Sequence, residues 1–62
     1  MYEIYVHTTE LLTASVALSD REMDDIASDQ IKLAQKNKNT IAVSIKVVDG
    51  GEIINEFHWD RS

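Results

Sequence analysis

Sixty-two residues allow one small domain with a single helix layer on a single sheet, and exclude a chain that walls off a deep pocket by itself. The absence of cysteine excludes disulfide staples and thiolate metal sites. A net charge of −5 argues against direct nucleic-acid binding and against anionic membrane surfaces, both of which need clustered Lys and Arg.

Two further expectations follow from composition. An unstapled chain this short gains stability from self-association, so a homodimer is expected as readily as a monomer. Met-Tyr-Glu-Ile-Tyr-Val lacks the basic start and long apolar run of a signal peptide, and no stretch is long enough to span a membrane. The expected location is the cytoplasm.

The first strand is predicted over about 2–8. Tyr2, Ile4 and Val6 face one way and Glu3, Tyr5 and His7 the other. Thr8, Thr9 and Glu10 form the expected turn. The second strand is predicted over about 12–18, with Leu12, Ala14, Val16 and Leu18 facing the helix and Thr13, Ser15 and Ala17 facing outward.

A helix is predicted over about 20–37. Ser19 and Glu22 form a capping box in which the hydroxyl accepts the Glu22 amide and the carboxylate reaches back to the Ser19 amide. Met23, Ile26, Ala27, Gln30, Ile31 and Ala34 recur at three- and four-residue steps on one face, with Leu33 at its margin. Acidic residues early and lysines late complement the helix dipole. Asn37 and Asn39 are candidate left-handed stop residues.

The third strand, over about 40–48, is the most β-prone segment, with Ile41, Val43, Ile45 and Val47 on its inner face. Asp49-Gly50-Gly51 reads as a three-residue hairpin loop leading into a fourth strand over about 52–59. That register pairs Val48 with Glu52 and Val43 with Phe57, and it puts Ile53, Asn55, Phe57 and Trp59 beneath the helix.

The fold class is therefore α+β: two β-hairpins flanking one helix (ββαββ), with a four-stranded, mainly antiparallel sheet and the helix on one face. Order 2-1-3-4 is favoured over 1-2-3-4, which needs a parallel crossover.

The uncovered sheet face is the leading candidate site. Tyr5, His7, Ala42, Ser44, Lys46, Ile54, Glu56 and His58 alternate onto it, giving a less polar surface than solubility requires. This favours a small acidic module that binds another protein and regulates or inhibits it, with no catalysis, cofactor or metal of its own. Compact acidic chains of this kind are associated with phages and mobile elements that block a host's nucleic-acid-handling enzymes.

Three rival chemistries are weighed against it. His7 and His58 with Glu56 nearby are metal-ligand and acid–base types, but their spacing matches no metal signature. Glu22, Asp25 and Asp29 on the outer helix surface are spaced carboxylates of the sort that imitate DNA phosphates, although the helix dipole already accounts for much of this clustering. A homo-oligomer with a small-molecule or catalytic site at its subunit interface would use Tyr5, His7 and His58. Serine catalysis lacks a Gly-flanked elbow, and Gly50 and Gly51 are used by the hairpin rather than by a phosphate loop.

Overall fold

A computed structural model describes residues 1–8 and 11–61. The expected turn at Thr9 and Glu10 lies outside the described residues. In chain order the elements are β1 (Tyr2–Thr8), β2 (Leu12–Ala17), α1 (Asp20–Lys36), β3 (Ala42–Asp49) and β4 (Glu52–Asp60). The four strands form one open sheet in the order β2-β1-β3-β4, and every neighbouring pair is antiparallel. This is the expected ββαββ plan with the most hydrophobic strand in an interior position.

The core is the inner side of that sheet under the helix. Ile4, Val6, Val43, Ile45 and Val47 rise from β1 and β3 to meet Met23, Ala27 and Ala34 of α1. Ile4, Ile45 and Val47 have no solvent exposure. Each such side chain contributes about 1.5–3 kcal/mol of hydrophobic burial. Tyr2, Ile26, Ile31, Phe57 and Trp59 close the margins of the cluster.

The helix starts as the capping pattern predicts, with one difference. Ser19 accepts the Glu22 amide at 3.2 Å, but the Glu22 carboxylate takes the Leu18 amide at 2.7 Å rather than that of Ser19. The stop differs more. Asn37 is extended (φ −91°, ψ 109°), not left-handed, and no non-glycine residue among those described has positive φ. The chain leaves the helix through local bonds instead. The Asn37 amide reaches the Leu33 and Ala34 carbonyls, the Asn37 side chain accepts the Asn39 amide at 3.0 Å, and the Thr40 amide returns to the Asn37 carbonyl.

The second hairpin has a tighter loop than expected. Asp49 pairs with Glu52 across Gly50 and Gly51, which lie at φ 62° and 85°. Positive φ at both central residues is what a two-residue type I′ turn requires. Taken alone, that loop would put Glu56 and His58 under the helix. A bulge corrects the parity: Val48 pairs with Ile53 and Val47 with Asn55, leaving Ile54 as the extra residue. Val43 thus faces Trp59 rather than Phe57, and Val48 faces Ile53 rather than Glu52. Phe57 and Trp59 still reach the core, but Ile53 does not; it is 56% exposed. Asn55 is exposed as well, and Ile41, expected inside, precedes β3 and is 57% exposed.

Candidate interaction surface on the open sheet face

Partners in an antiparallel ladder share a face, so the register lays out the uncovered surface row by row. One row runs Leu12, His7, Ser44, His58 from β2 to β4. The next runs Ala14, Tyr5, Lys46, Glu56, and the next Val16, Glu3, Val48, Ile53. Ala42 faces Asp60 at one end, and the Ile54 bulge lies near the other. All eight residues expected to form this surface therefore belong to one region, with Ile54 at the irregular step rather than in a regular row.

The β2 contribution is the reverse of the expected one. Val6 faces inward and pairs with Thr13, and Ile4 faces inward and pairs with Ser15. Thr13, Ser15 and Ala17 must then face the helix, and Ala17 is fully buried. Leu12, Ala14 and Val16 lie on the open face, where Leu12 and Val16 remain 67% and 54% exposed. The large β2 side chains suggested the opposite assignment. The inward alternation of β1, carried across the hairpin, is the signal that settles it.

Polarity consequently changes across the sheet. The β2 column is apolar, while the β4 column carries Glu56, His58 and Asp60. The surface thus has an apolar β2 margin and a β4 margin that passes from the apolar Ile53 and Ile54 to the polar Glu56, His58 and Asp60. Tyr5, His7, Leu12, Ser44 and Lys46 line a shallow depression of about 310 Å³ across β2, β1 and β3.

Local hydrogen bonds orient the polar groups. The Tyr5 hydroxyl donates to the Glu3 carboxylate at 2.9 Å, and this bond, followed by the charge of Glu3, raises the phenol above its ordinary pKa. Ser44 Oγ lies 3.2 Å from His58 Nδ1, and His58 Nε2 lies 3.3 Å from Asp60 Oδ2. A serine, an imidazole and a carboxylate thus form a continuous line. The expected register set Ser44 opposite Glu56 and so concealed it. The line can orient the imidazole. It runs across an exposed strand pair, with His58 and Asp60 side chains 59% and 60% exposed.

His7 and His58 flank Ser44 from opposite sides, two strand spacings or about 10 Å apart. No three His, Cys, Asp or Glu side chains among the described residues group closely enough to hold a metal ion. Glu22, Asp25 and Asp29 are all exposed on α1, but the Glu22 carboxylate is engaged in the helix cap. No helix among the described residues is long and apolar enough to cross a membrane.

No family model matches the chain, and no curated protein or solved structure matches it.

Proposed function

We propose that this chain is a small, non-enzymatic interaction module that binds a larger protein through its open sheet face and regulates or inhibits it. The observation that carries this reading is the placement of Tyr5, Leu12, Val16, Ile53 and Ile54 on a face that no other described element covers, together with the polar Glu56, His58 and Asp60 of β4. Desolvating those side chains supplies affinity, while Glu56, His58 and Asp60 select a partner with basic groups at one margin of an apolar patch. The −5 charge steers association with such a surface, and a nucleic-acid-handling protein with a basic channel has the right complementarity.

The test compares variants in one capture experiment. A partner retained by the wild type and by Asp25→Asn, but lost on Tyr5→Ala/Ile54→Ala, supports the reading. Retention by the double variant places the contact elsewhere and overturns it.

A second reading rests on the Ser44–His58–Asp60 line, which is the arrangement of an acid–base site in an oligomer whose neighbouring subunit supplies the missing walls. Screening the purified protein against ester and amide substrates tests it. Turnover lost on both Ser44→Ala and His58→Ala favours catalysis, and turnover unaffected by either removes it.

A further inference from the structure

The two edges of the sheet are built differently. The β4 edge carries Glu52, Glu56 and Asp60 and is broken by the Ile54 bulge, both of which discourage pairing with another strand. The β2 edge has none of these protections. From Leu11 to Leu18 the chain reads Leu-Leu-Thr-Ala-Ser-Val-Ala-Leu, with no charge, proline or glycine. Leu11, Leu12, Val16 and Leu18 are between 54% and 73% exposed.

The hairpin also determines which backbone groups face outward. The Thr8 amide donates to the Leu11 carbonyl at 2.8 Å, making Thr8 and Leu11 a hydrogen-bonded pair. Such pairs alternate along an antiparallel ladder. Thr13, Ser15 and Ala17 therefore bond to β1, while Leu12, Ala14 and Val16 aim their N–H and C=O groups off the edge.

We propose that β2 pairs antiparallel with β2 of a second copy, making a continuous eight-stranded sheet across a two-fold axis. Ladder partners must share a face, so the axis falls on a residue rather than between two. Centred on Ala14, it sets Leu12 against Val16 of the second copy, twice, on the open face. On the helix face it sets Thr13 against Ser15 of the second copy, a pair of small hydroxyl residues suited to cross-strand hydrogen bonding. The three outward-facing residues of each copy then exchange backbone hydrogen bonds.

Charge favours a second copy as the occupant. Two chains of net charge −5 repel unless their contact avoids acidic groups. β1 carries Glu3, β3 carries Lys46 and Asp49, and β4 carries three carboxylates; among the described strands β2 is the one without a charged side chain. Leu11 and Leu33 share a surface depression beside the β1–β2 side of the helix, which extends the apolar contact beyond the strand itself. Pairing through an edge leaves the open faces of both copies uncovered and joined side by side, so the proposal stands independently of what that face binds.

The test uses the full chain alone. Sedimentation over a concentration series should show a monomer–dimer equilibrium. Ala14→Lys places two like charges opposite each other at the axis and should weaken dimerisation at least tenfold, with an unchanged far-UV circular dichroism spectrum. Glu56→Lys on the other edge should leave dimerisation intact.

Cysteine variants report the register directly, because the chain has no other thiol. A hydrogen-bonded pair holds its Cα atoms about 5.5 Å apart, within disulfide range. Oxidation should therefore cross-link Ala14→Cys much faster than Glu56→Cys. A chain that stays monomeric, a dimer indifferent to Ala14→Lys, or equal cross-linking of the two cysteine variants would each overturn the proposal. Loss of partner capture on Tyr5→Ala/Ile54→Ala would not bear on it.

Discussion

Arg61 caps the helix from the far end of the chain: its Nη2 lies 3.1 Å from the Ala34 carbonyl, 27 residues earlier. The same nitrogen is 3.2 Å from the Gln35 and Asn37 carbonyls, and Nε lies 3.3 Å from that of Thr40. The last carbonyls of a helix have no partner within it, and a cation beside them also opposes the negative end of the dipole. The guanidinium is held in place by the Trp59 ring, 5.1 Å beneath it, and the Arg61 backbone by the hydrogen bond its N–H donates to the Ile41 carbonyl. Arg61→Ala should destabilise the fold by about 1–2 kcal/mol. Arg61→Lys should recover roughly 0.5 kcal/mol of that through charge alone. Urea unfolding followed by Trp59 fluorescence measures both, and equal midpoints for Arg61→Ala and the wild type would deny Arg61 a capping role.

The turn at Gly50 and Gly51 gives a second prediction. A Cβ added at either position meets no heavy atom within 4 Å, so any cost of substitution is conformational rather than steric packing. An L-residue held at positive φ costs roughly 1–2 kcal/mol. Gly51→Ala, at φ 85°, should show that loss in chemical denaturation. Gly50→Asn, at φ 62°, should be nearly neutral, because asparagine tolerates the left-handed region and Asn-Gly suits this turn type. No loss for Gly51→Ala would mean that the turn does not need this geometry.

What the sequence made legible follows the strength of each local signal. The helix is written in its cap, its apolar stripe and its charge order, and the sheet order follows from having two hairpins and one hydrophobic interior strand. Register is less legible because it depends on parity summed over a whole hairpin. A two-residue loop plus one bulge gives Phe57 and Trp59 the same face as a three-residue loop, so alternation alone cannot separate the two. The difference nonetheless moves Ser44 from Glu56 to His58. Arg61 was invisible for another reason: its partners are backbone carbonyls brought near by tertiary structure, and no spacing announces them.

The β2 strand gives the sharpest test of that lesson. Alternation predicts Ala14 inside and Ala17 outside, whereas the structure buries Ala17 fully and exposes Ala14. Small residues on the helix side let the start of α1 pack close to the sheet margin. Ala17→Leu should therefore overpack the core at a cost of about 1–3 kcal/mol. Ala14→Leu should change stability by no more than about 0.5 kcal/mol. Thermal unfolding at one fixed protein concentration distinguishes the two assignments, since the inverted one reverses the order.

The last prediction concerns alkaline pH. The Tyr2 hydroxyl donates to the Asp20 carboxylate, tying the first strand to the first turn of the helix. That hydrogen bond raises the phenol above its ordinary 10.0, with smaller contributions from the Asp20 charge, desolvation and the Asp49 charge. A raised value means that folding favours the protonated phenol, so its stabilising contribution is fully present below the unfolded phenol's pKa and disappears as pH rises through the folded one. Tyr2→Phe removes the donor and hence this dependence. Tyr2→Phe should melt below the wild type at neutral pH, and the gap should narrow as the phenol ionises. Tyr5, raised by its bond to Glu3, contributes the same sign of dependence, so the single variant retains part of the alkaline loss and Tyr2→Phe/Tyr5→Phe removes more. Melting curves that run parallel for wild type and Tyr2→Phe across the alkaline range would show that the Asp20 bond contributes nothing to folding.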